Sequence, residues 1–296
     1  MNGPFSLTDT SAYQYWRKAK LDSYPIQASH LKVDVSNPYA ICGREKSAIT
    51  ENLRKYNLSI YSISGHQDKT LVAELGNQFG MSRLDSNLCA DEDSITSLQV
   101  IEGGRQKGYI PYSNRPLNWH TDGYYNTGSA QIRGMILHCV QDAAEGGDNF
   151  LLDHEMAYLL MRDEDPRMIK AMMAADAMTI PANEEAGEEI RPAQTGPVFS
   201  QDSSGNLHMR YTARKRNIEW KQDAATLDAV AFLEALLASE SRYIFRYHLR
   251  PGEGLICNNV LHSRTTFTED DEHKRLLYRA RYYDRASDTD LKIEEG

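Results

Sequence analysis

The chain has 296 residues, of which 25% are charged and 41% hydrophobic, values that are ordinary for a globular protein. Its formal net charge of −9 argues against nucleic acid or an anionic membrane as a general partner, so an anionic ligand would need a local cationic pocket. A chain of this length can bury about three quarters of its unfolded surface without disulfides.

The first third of the chain predicts a polar arm followed by alternating helices and strands. Residues 1–40 contain scattered prolines and predict an irregular arm with one short helix around Tyr13 to Lys20. The following elements are a helix over 44–56, a strand over 58–63, a helix over 68–79, and a strand with a glycine-containing hairpin over 94–112.

The rest of the chain predicts many short strands separated by glycine and proline turns. The apolar run 134–140 suits a central strand, and residues 255–261 predict the strand that delivers His262. The other elements are a turn and strand within 146–152, strands over 207–211, 244–249 and 274–283, and helices over 154–162, 168–175 and 224–237. This pattern predicts a mainly β fold with flanking helices, as in a sandwich or jelly roll. No repeat or linker is visible, so we expect a single domain over 1–296.

Residues 179–204 form the longest stretch in which apolar residues recur at neither helical nor strand spacing. The stretch is rich in proline, glutamate and glycine. Long irregular insertions in compact domains are often functional or disordered. We therefore interpret it as a candidate active-site lid, with a disordered surface loop as the alternative.

A metal site is indicated by the H-x-D sequence at His120 and Asp122 and by the distant His262. Side chains at i and i+2 of an extended segment point to the same side, so the first two residues could touch one ion. Two histidines and one carboxylate on one face of a metal are typical of non-haem Fe(II) oxygenases. An H-x-D sequence alone could equally be a surface hydrogen bond at a strand end.

Two arginines downstream of His262 predict an anion site. Arg275 and Arg279 lie in the predicted strand over 274–283, with Leu276, Tyr278 and Ala280 assigned to its opposite face. Two guanidinium groups that face the same way suit a carboxylate or a similar anion.

Taken together, these segments resemble the Fe(II)/2-oxoglutarate-dependent dioxygenases of the taurine dioxygenase and gamma-butyrobetaine hydroxylase type. The resembling segments are Trp119–Gly123, Gly146–Asn149, Asn258–Arg264 and Arg275–Arg279. They occur in the family's order and spacing. The resemblance implies a double-stranded β-helix (jelly roll) core, Fe(II) as cofactor, 2-oxoglutarate and O2 as co-substrates, and a homodimer or homotetramer.

The resemblance also implies roles for three residues towards 2-oxoglutarate. Arg275 would pair with the far carboxylate, for which a guanidinium offers a planar pair of donors. Arg279 would be the second arginine of the family's pair and would hold the substrate or support Arg275. Asn149 stands where taurine dioxygenase has a threonine that contacts the same carboxylate, and an asparagine amide can also donate a hydrogen bond.

Candidate substrate-binding residues flank the metal ligands or lie in a cationic stretch. Asn118, Tyr124 and Tyr125 flank His120 and Asp122, and by resemblance the positions after Asp122 lie over the open metal face. Arg264, two residues after His262, alternates to the same side and could contact the substrate or order the ligands.

The stretch from Met209 to Asn217 adds Arg210 and Tyr211 to these candidates. It carries four cationic side chains, which in an acidic protein suggests capture of a carboxylate, sulfonate or phosphate. The alternative is a solvated basic strand end that pairs with acids at positions 184, 185, 188 and 189.

We therefore expect an Fe(II)- and 2-oxoglutarate-dependent oxygenase. It would hydroxylate an unactivated C–H bond of a small anionic or zwitterionic metabolite and release succinate and CO2. Desaturation, epimerisation or cyclisation with the same cofactors remain open. A metal-dependent hydrolase or cupin-like metal-binding protein is the alternative of another class, and it would have no use for Arg275.

The compartment expected from the sequence is the cytoplasm. The four cysteines form no C-x-x-C pair, and Cys139 and Cys257 lie in apolar runs where a free cysteine usually behaves as a small buried hydrophobe. The first residues lack a basic region followed by an apolar core, so we predict no signal peptide. No apolar run approaches the about 18 residues that a membrane span needs.

Overall fold

The computed structural model describes residues 3–65, 68–86, 91, 93–101, 103, 109–126, 128–185 and 187–291. Within these ranges the helices are α1 Thr10–Ser23, α2 Gly43–Tyr56, α3 Thr70–Gln78, α4 His154–Glu164, α5 Pro166–Met172 and α6 Ala224–Ala238. None of these helices is long and apolar enough to cross a bilayer.

The strands, in chain order, number nineteen in the described ranges. They are β1 Lys32–Asp34, β2 Leu58–Ser62, β3 Thr96–Leu98, β4 Leu117–His120, β5 Gly134–Gln141, β6 Glu145–Gly146, β7 Asn149–Leu152, β8 Met178–Ile180, β9 Asn183–Glu185, β10 Glu188–Arg191, β11 Gln194–Gly196, β12 Phe199–Gln201, β13 Leu207–Met209, β14 Glu219–Trp220, β15 Phe245–Tyr247, β16 Glu253–Cys257, β17 Leu261–Arg264, β18 Phe267–Thr268 and β19 Leu276–Tyr282. The chain is thus mainly β with several helices, as predicted.

Two sheets organise these strands. The major sheet has the order β1-β2-β16-β5-β19-β3, and the minor sheet has the order β15-β7-β17-β4. β5 lies in the middle of the major sheet, between β16 and β19, and its first six residues are all buried. This confirms the central strand predicted from the apolar run, because a strand covered on both faces has no polar alternation.

The major sheet is covered on both faces. Ile60, Leu137 and Leu255 face a core that they share with Leu151 and Leu261 of the minor sheet. Their neighbours along each strand, Tyr61, Ile136 and Ile256, belong instead to a second core with α2 and α3. Alternate side chains therefore fill alternate cores, as the period of two in a strand requires. The minor sheet, which carries the candidate metal residues, packs on the first of these cores.

The helices that were predicted from apolar residues at helical spacing are confirmed. The predictions over 44–56, 154–162 and 224–237 match α2, α4 and α6 to within about two residues at each end, the usual uncertainty of a helix boundary. Cys139 and Cys257 are buried free thiols, as expected.

The single strand predicted over 255–261 is wrong. β16 ends at Cys257 and β17 begins at Leu261, and the two strands belong to different sheets. Asn259, between them, has a φ of 55°, a left-handed conformation that breaks the extended chain and that asparagine tolerates better than most residues. Apolar side chains on both sides of this turn hide it in the sequence. The turn moves the chain from the major to the minor sheet and brings His262 beside β4.

Two segments expected to be mostly irregular contain further ordered elements. In the N-terminal arm, the helix predicted around Tyr13 to Lys20 is confirmed as the longer α1, and the additional strand β1 pairs in parallel with β2 at the edge of the major sheet. Residues 179–204 contain short antiparallel strands, with β9 paired to β10 and β11 paired to β8. Strands of three or four residues are too short for an alternation of apolar and polar side chains to be recognised in the sequence. The lid role of this segment stays a prediction, and the hairpin with Gly104 and Gly108 lies outside the described residues.

A buried ion cluster attaches α1 to the start of α4. The Lys20 Nζ lies 2.6 Å from a carboxylate oxygen of Asp153 and 2.6 Å from one of Glu155. The three side chains are 3%, 0% and 2% exposed. Burial alone would lower the pKa of Lys20, but the two carboxylates hold it above its ordinary value. Lys20 therefore compensates two negative charges inside the protein.

We expect the substitution Lys20→Met to lower the free energy of unfolding by about 3–5 kcal/mol, because it leaves two buried carboxylates without a cation. Urea unfolding followed by circular dichroism measures this loss. The matched control is Lys18→Met, since Lys18 pairs with Asp22 at the surface with 80% of its side chain exposed, and its loss should change stability by less than about 1 kcal/mol. Equal stabilities of the two variants would contradict the role of the cluster.

Candidate metal centre and anion pockets

Two histidines face each other across neighbouring strands of the minor sheet. His120 ends β4 and is the register partner of His262 in the antiparallel strand β17. Their rings have centroids 4.2 Å apart and an angle of 50° between their planes. Directly opposed residues of an antiparallel pair project to the same side of the sheet. The sheet therefore presents both imidazoles to one point in space.

Asp122 reaches the same point from a turn rather than from a strand. β4 ends at His120, so the extended geometry expected for the H-x-D segment does not continue to Asp122. The side chain of Asn259 fixes the turn: its Oδ1 accepts from the Asp122 amide at 2.8 Å, and its Nδ2 donates to the Asp122 carbonyl at 2.9 Å. Gly123 follows with a φ of 62°, where a Cβ would collide with Ile132. Sequence reasoning placed Asn259 in a resembling segment but did not identify this role.

The donor set fits a divalent metal ion. One ligand atom from each of His120, Asp122 and His262 lies within 4.8 Å of the other two. The Nδ1 atoms of the two histidines lie 2.9 and 3.0 Å from the carbonyls of Asn118 and Val260. These bonds place the proton on Nδ1 and leave the Nε2 lone pair for a metal. Asp122 Oδ2 is buried and has no hydrogen-bond partner among the described residues, as expected of an atom that would hold an ion.

Charges around the triad keep these groups in the state that metal binding requires. Burial alone would raise the pKa of Asp122, but the nearby guanidinium groups of Arg279 and Arg281 hold it well below its usual value. Burial lowers the pKa of His262 to about 4, so the ring is neutral at pH 7. Metal ligation needs an ionised carboxylate and a neutral imidazole.

The Arg279 guanidinium belongs to the metal centre in this structure. Its Nη1 lies 3.4 Å from Asp122 Oδ1. Its Nε has no hydrogen-bond partner among the described residues, and its predicted contact with 2-oxoglutarate stays a prediction. Next on the strand face, Arg281 forms a buried ion pair with Asp85 and donates to the Tyr125 hydroxyl at 3.0 Å. Sequence reasoning identified neither Arg281 nor Asp85, because no motif or spacing distinguishes them from the other charged residues of the chain.

Arg275 lies in a separate, narrow cavity. The cavity is lined by Gly147, Asn149, His248 and other residues around the Arg275 side chain. The guanidinium carbon of Arg275 lies 5.0 Å from the centre of the Phe267 ring. In the described part of the chain no carboxylate is in salt-bridge contact with it, and Glu269 acts on it only at longer range. Burial lowers its pKa to about 10, so the group stays charged at pH 7. Asp142 also lines the cavity, but its carboxylate contacts His248 at 3.3 Å. A buried cation with no carboxylate in salt-bridge contact suits an anionic ligand.

Asn149 and Arg264 border the same region. Asn149 lines the cavity, and its amide lies 3.5 Å from the Tyr247 carbonyl. Arg264 lies 4.8 Å from the centre of the Phe267 ring and donates to the backbone carbonyls of Ser113 and Arg115. These contacts anchor the segment before β4, and the role of Arg264 towards the substrate or the metal ligands stays a prediction.

The predicted substrate residues separate into two groups. Tyr124 and Tyr125 are half-buried beside Asp122, with ring centroids 5.3 Å apart, and Arg210 donates to the Tyr124 carbonyl at 3.0 Å. Tyr211 is instead buried in the core, 6.3 Å from the Trp220 ring centroid, and its predicted contact with substrate stays a prediction. Asn118 is exposed, and its backbone carbonyl rather than its side chain meets His120.

The chain was compared with known proteins. The family model described as "Taurine catabolism dioxygenase TauD, TfdA family" matches residues 19–281. A uridine-5'-phosphate dioxygenase of an Amycolatopsis species is 31% identical over 174 residues, which is 55% of this chain and 60% of that protein, less than two thirds of its length. A protein of the same name from a Streptomyces species is 30% identical over 219 residues, covering 71% of this chain and 77% of that protein.

Solved structures with the same fold include two oxygenases. An asparagine oxygenase in complex with Fe(II), 2S,3S-3-hydroxyasparagine and succinate aligns with a TM-score of 0.58 and 15% identity, over 94% of this chain and 85% of that chain. PvcB, an Fe, alpha-ketoglutarate dependent oxygenase from an isonitrile synthetic pathway, aligns with a TM-score of 0.55 and 14% identity, over 84% and 82%. At this identity the likeness is one of fold.

We expect Asn259→Ala to weaken Fe(II) binding by about 10–100-fold, because outer hydrogen-bond partners orient the ligands of a metal. Equilibrium dialysis with Fe(II) under anaerobic conditions measures the affinity. Asn118→Ala is the matched control, since the side chain of Asn118 is exposed next to the same histidine. An unchanged affinity in Asn259→Ala, with its fold intact by circular dichroism, would show that the turn holds Asp122 without this asparagine.

Proposed function

We propose, for a chain that belongs to the taurine catabolism dioxygenase TauD, TfdA family, that His120, Asp122 and His262 hold the iron and that Arg275 holds 2-oxoglutarate. The chain is an Fe(II)- and 2-oxoglutarate-dependent oxygenase with O2 as its second co-substrate. One observation carries the residue assignment. Two imidazoles and a carboxylate converge within 4.8 Å, and Asn149 of the same sheet lines the narrow cavity around the Arg275 guanidinium.

The protein residues bind, orient and exclude water. Activation of O2 with oxidative decarboxylation of 2-oxoglutarate to succinate and CO2 is the chemistry that Fe(II) supplies when bound. Arg275 would fix the far carboxylate of 2-oxoglutarate through a two-donor contact, and the Phe267 ring beside it keeps water from the pair. Asn149, in the same cavity, can add an amide donor. Asn259 and Arg279 would keep Asp122 ionised and oriented.

We infer that the two sheets form the double-stranded β-helix of this family. The shared core between the major and minor sheets supports this arrangement, and the solved oxygenases of similar fold agree with it. The iron would then lie at the open end of the minor sheet, between β4 and β17. We also keep the cytoplasm as the proposed compartment, since the buried thiols of Cys139 and Cys257 suit a reducing environment.

The proposed reaction is hydroxylation of a C–H bond in a small anionic metabolite. Arginine side chains concentrate beside the metal centre of a protein that is acidic as a whole, which supports an anionic substrate. Both curated relatives reported above are named for uridine 5'-phosphate. A nucleoside 5'-phosphate or a similar phosphate ester is therefore the first substrate class to test.

Anaerobic addition of 2-oxoglutarate to the Fe(II)-loaded protein should produce a weak charge-transfer band in the visible range, because the keto acid chelates iron. We expect His262→Ala to abolish the band and Arg275→Ala to raise the 2-oxoglutarate concentration for half-saturation by about 30-fold or more. The matched control is Lys274→Gln, which removes the exposed neighbouring cation. Absence of the band in fully loaded wild-type protein would favour a metal-dependent hydrolase or binding protein instead.

We expect uridine 5'-phosphate to stimulate succinate release above the rate without substrate, and uridine to do so less, because only the phosphate offers a charged group to the arginines. Quantification of succinate by mass spectrometry, with a parallel search for an oxygenated product, tests both points. Equal responses to the two compounds would overturn the phosphate assignment and leave the oxygenase assignment intact.

A further inference from the structure

An extended segment after β13 lies beside β4 and faces the metal centre. The Thr121 amide donates to the Tyr211 carbonyl at 3.0 Å, and the Ala213 amide donates to the Trp119 carbonyl at 2.8 Å. Thr212 forms a β-bridge with His120, so these two side chains project to the same side. Because side chains alternate along an extended chain, Arg210 shares this side with Thr212.

Arg210 is buried on this side without a counter-ion. It is 2% exposed. Its Nε donates to the Tyr124 carbonyl at 3.0 Å and its Nη2 to the Gln194 carbonyl at 3.5 Å, whereas its buried Nη1 has no hydrogen-bond partner among the described residues. Burial lowers its pKa to about 10, so it remains a cation at pH 7. Of the four glutamates considered above as alternative partners, those at positions 184 and 189 have described side chains, and neither forms an ion pair with Arg210.

Arg191 lies close to Arg210 and is a second cation with no ion pair among the described side chains. Its guanidinium lies 5.6 Å from the centre of the Tyr125 ring and donates to the carbonyls of Pro181 and Pro192. Its charge is near enough to lower the pKa of Arg210. Across the described ranges, neither arginine has a carboxylate in salt-bridge contact. Two neighbouring cations that repel each other inside an acidic protein are unfavourable unless an anion joins them.

We propose that Arg210 and Arg191 form the phosphate subsite of the substrate pocket, with Tyr124 and Tyr125 as its wall. This inference rests on the proposed function, since it names the group of the substrate that the same site would recognise. A phosphate monoester carries a charge of about −1.5 to −2 at pH 7 and three acceptor oxygens, which match two guanidinium groups. A carboxylate would compensate only one of them.

The position of the subsite suits a short substrate. Arg210 lies two residues from Thr212, about 7 Å along the chain, and Thr212 is opposite the metal-side residue His120. A phosphate held by Arg210 would leave carbon atoms a few bonds away next to the metal centre. Arg191 comes from β10, so the segment predicted as a lid supplies one side of the subsite.

Calorimetric titration of the anaerobic Fe(II)- and 2-oxoglutarate-loaded protein tests the subsite with uridine 5'-phosphate and uridine as probes. We expect the wild type to bind the nucleotide about 30-fold or more tightly than the nucleoside. Arg210→Gln should remove most of this preference and leave 2-oxoglutarate affinity unchanged. Gly196→Ala should act in the same direction without a charge change, because its Cβ would lie 2.5 Å from Arg210 Nη1.

Two controls separate recognition from a structural role. Arg216→Gln removes an exposed cation of the same basic stretch and should keep the wild-type preference. Arg210→Gln should unfold at the same or a higher urea concentration than the wild type without ligand, since it removes an uncompensated buried charge. Arg191→Gln, on a half-buried strand, should also reduce the preference for the nucleotide, so the test does not depend on one variant.

The possible outcomes are distinct. A preference for the nucleotide that survives in both Arg210→Gln and Arg191→Gln would overturn the subsite and leave the oxygenase assignment intact. Wild-type protein that shows the charge-transfer band but binds neither uridine 5'-phosphate nor inorganic phosphate would also overturn the subsite alone. Loss of the band itself would instead overturn the iron and 2-oxoglutarate assignment on which the subsite rests.

Discussion

The antiparallel pairing of β4 with β17 is the constraint on which the site depends. It places His120 opposite His262, although the two residues lie far apart in the chain. A slip of one residue would turn one imidazole towards the core, because side chains alternate between the faces of a strand. The left-handed turn at Asn259 starts β17 in this register, and the same side chain binds the backbone of Asp122. One asparagine thus links the arrival of His262 to the position of the carboxylate.

The charged groups around this pairing fall into two kinds. Arg279 and Arg281 have carboxylate partners in Asp122 and Asp85, so their charges are compensated within the protein. Arg275 and Arg210 are equally buried and lack such partners in the described ranges. Paired arginines stabilise the ligand geometry, whereas unpaired ones leave positive potential for molecules that arrive from solution. The distinction separates the arginines that build the site from those available to hold its ligands.

The sequence was most informative where residue types matched a set of metal ligands or where apolar residues formed a clear pattern. The convergence of His120, Asp122 and His262 followed from residue types and spacing, and the central strand β5 followed from an unbroken apolar run. The sequence could not show the break at Asn259, since its effect lies in a backbone angle between two apolar runs. It also named both Arg210 and Tyr211 as substrate candidates, although neighbouring side chains of an extended segment point to opposite sides. Only the register of Thr212 with His120 decides between them.

Selectivity between two anions follows from where the unpaired cations lie. Iron attracts any carboxylate or phosphate, so its charge alone cannot direct 2-oxoglutarate and substrate to different positions. Arg275 lies in a narrow cavity beside Phe267, which suits a slender dicarboxylate with a single charge at its far end. The proposed pair of Arg210 and Arg191 carries twice that charge against a tyrosine wall. A substrate without a matching anion would leave two adjacent cations uncompensated, so the pair would disfavour neutral analogues as well as attract a phosphate.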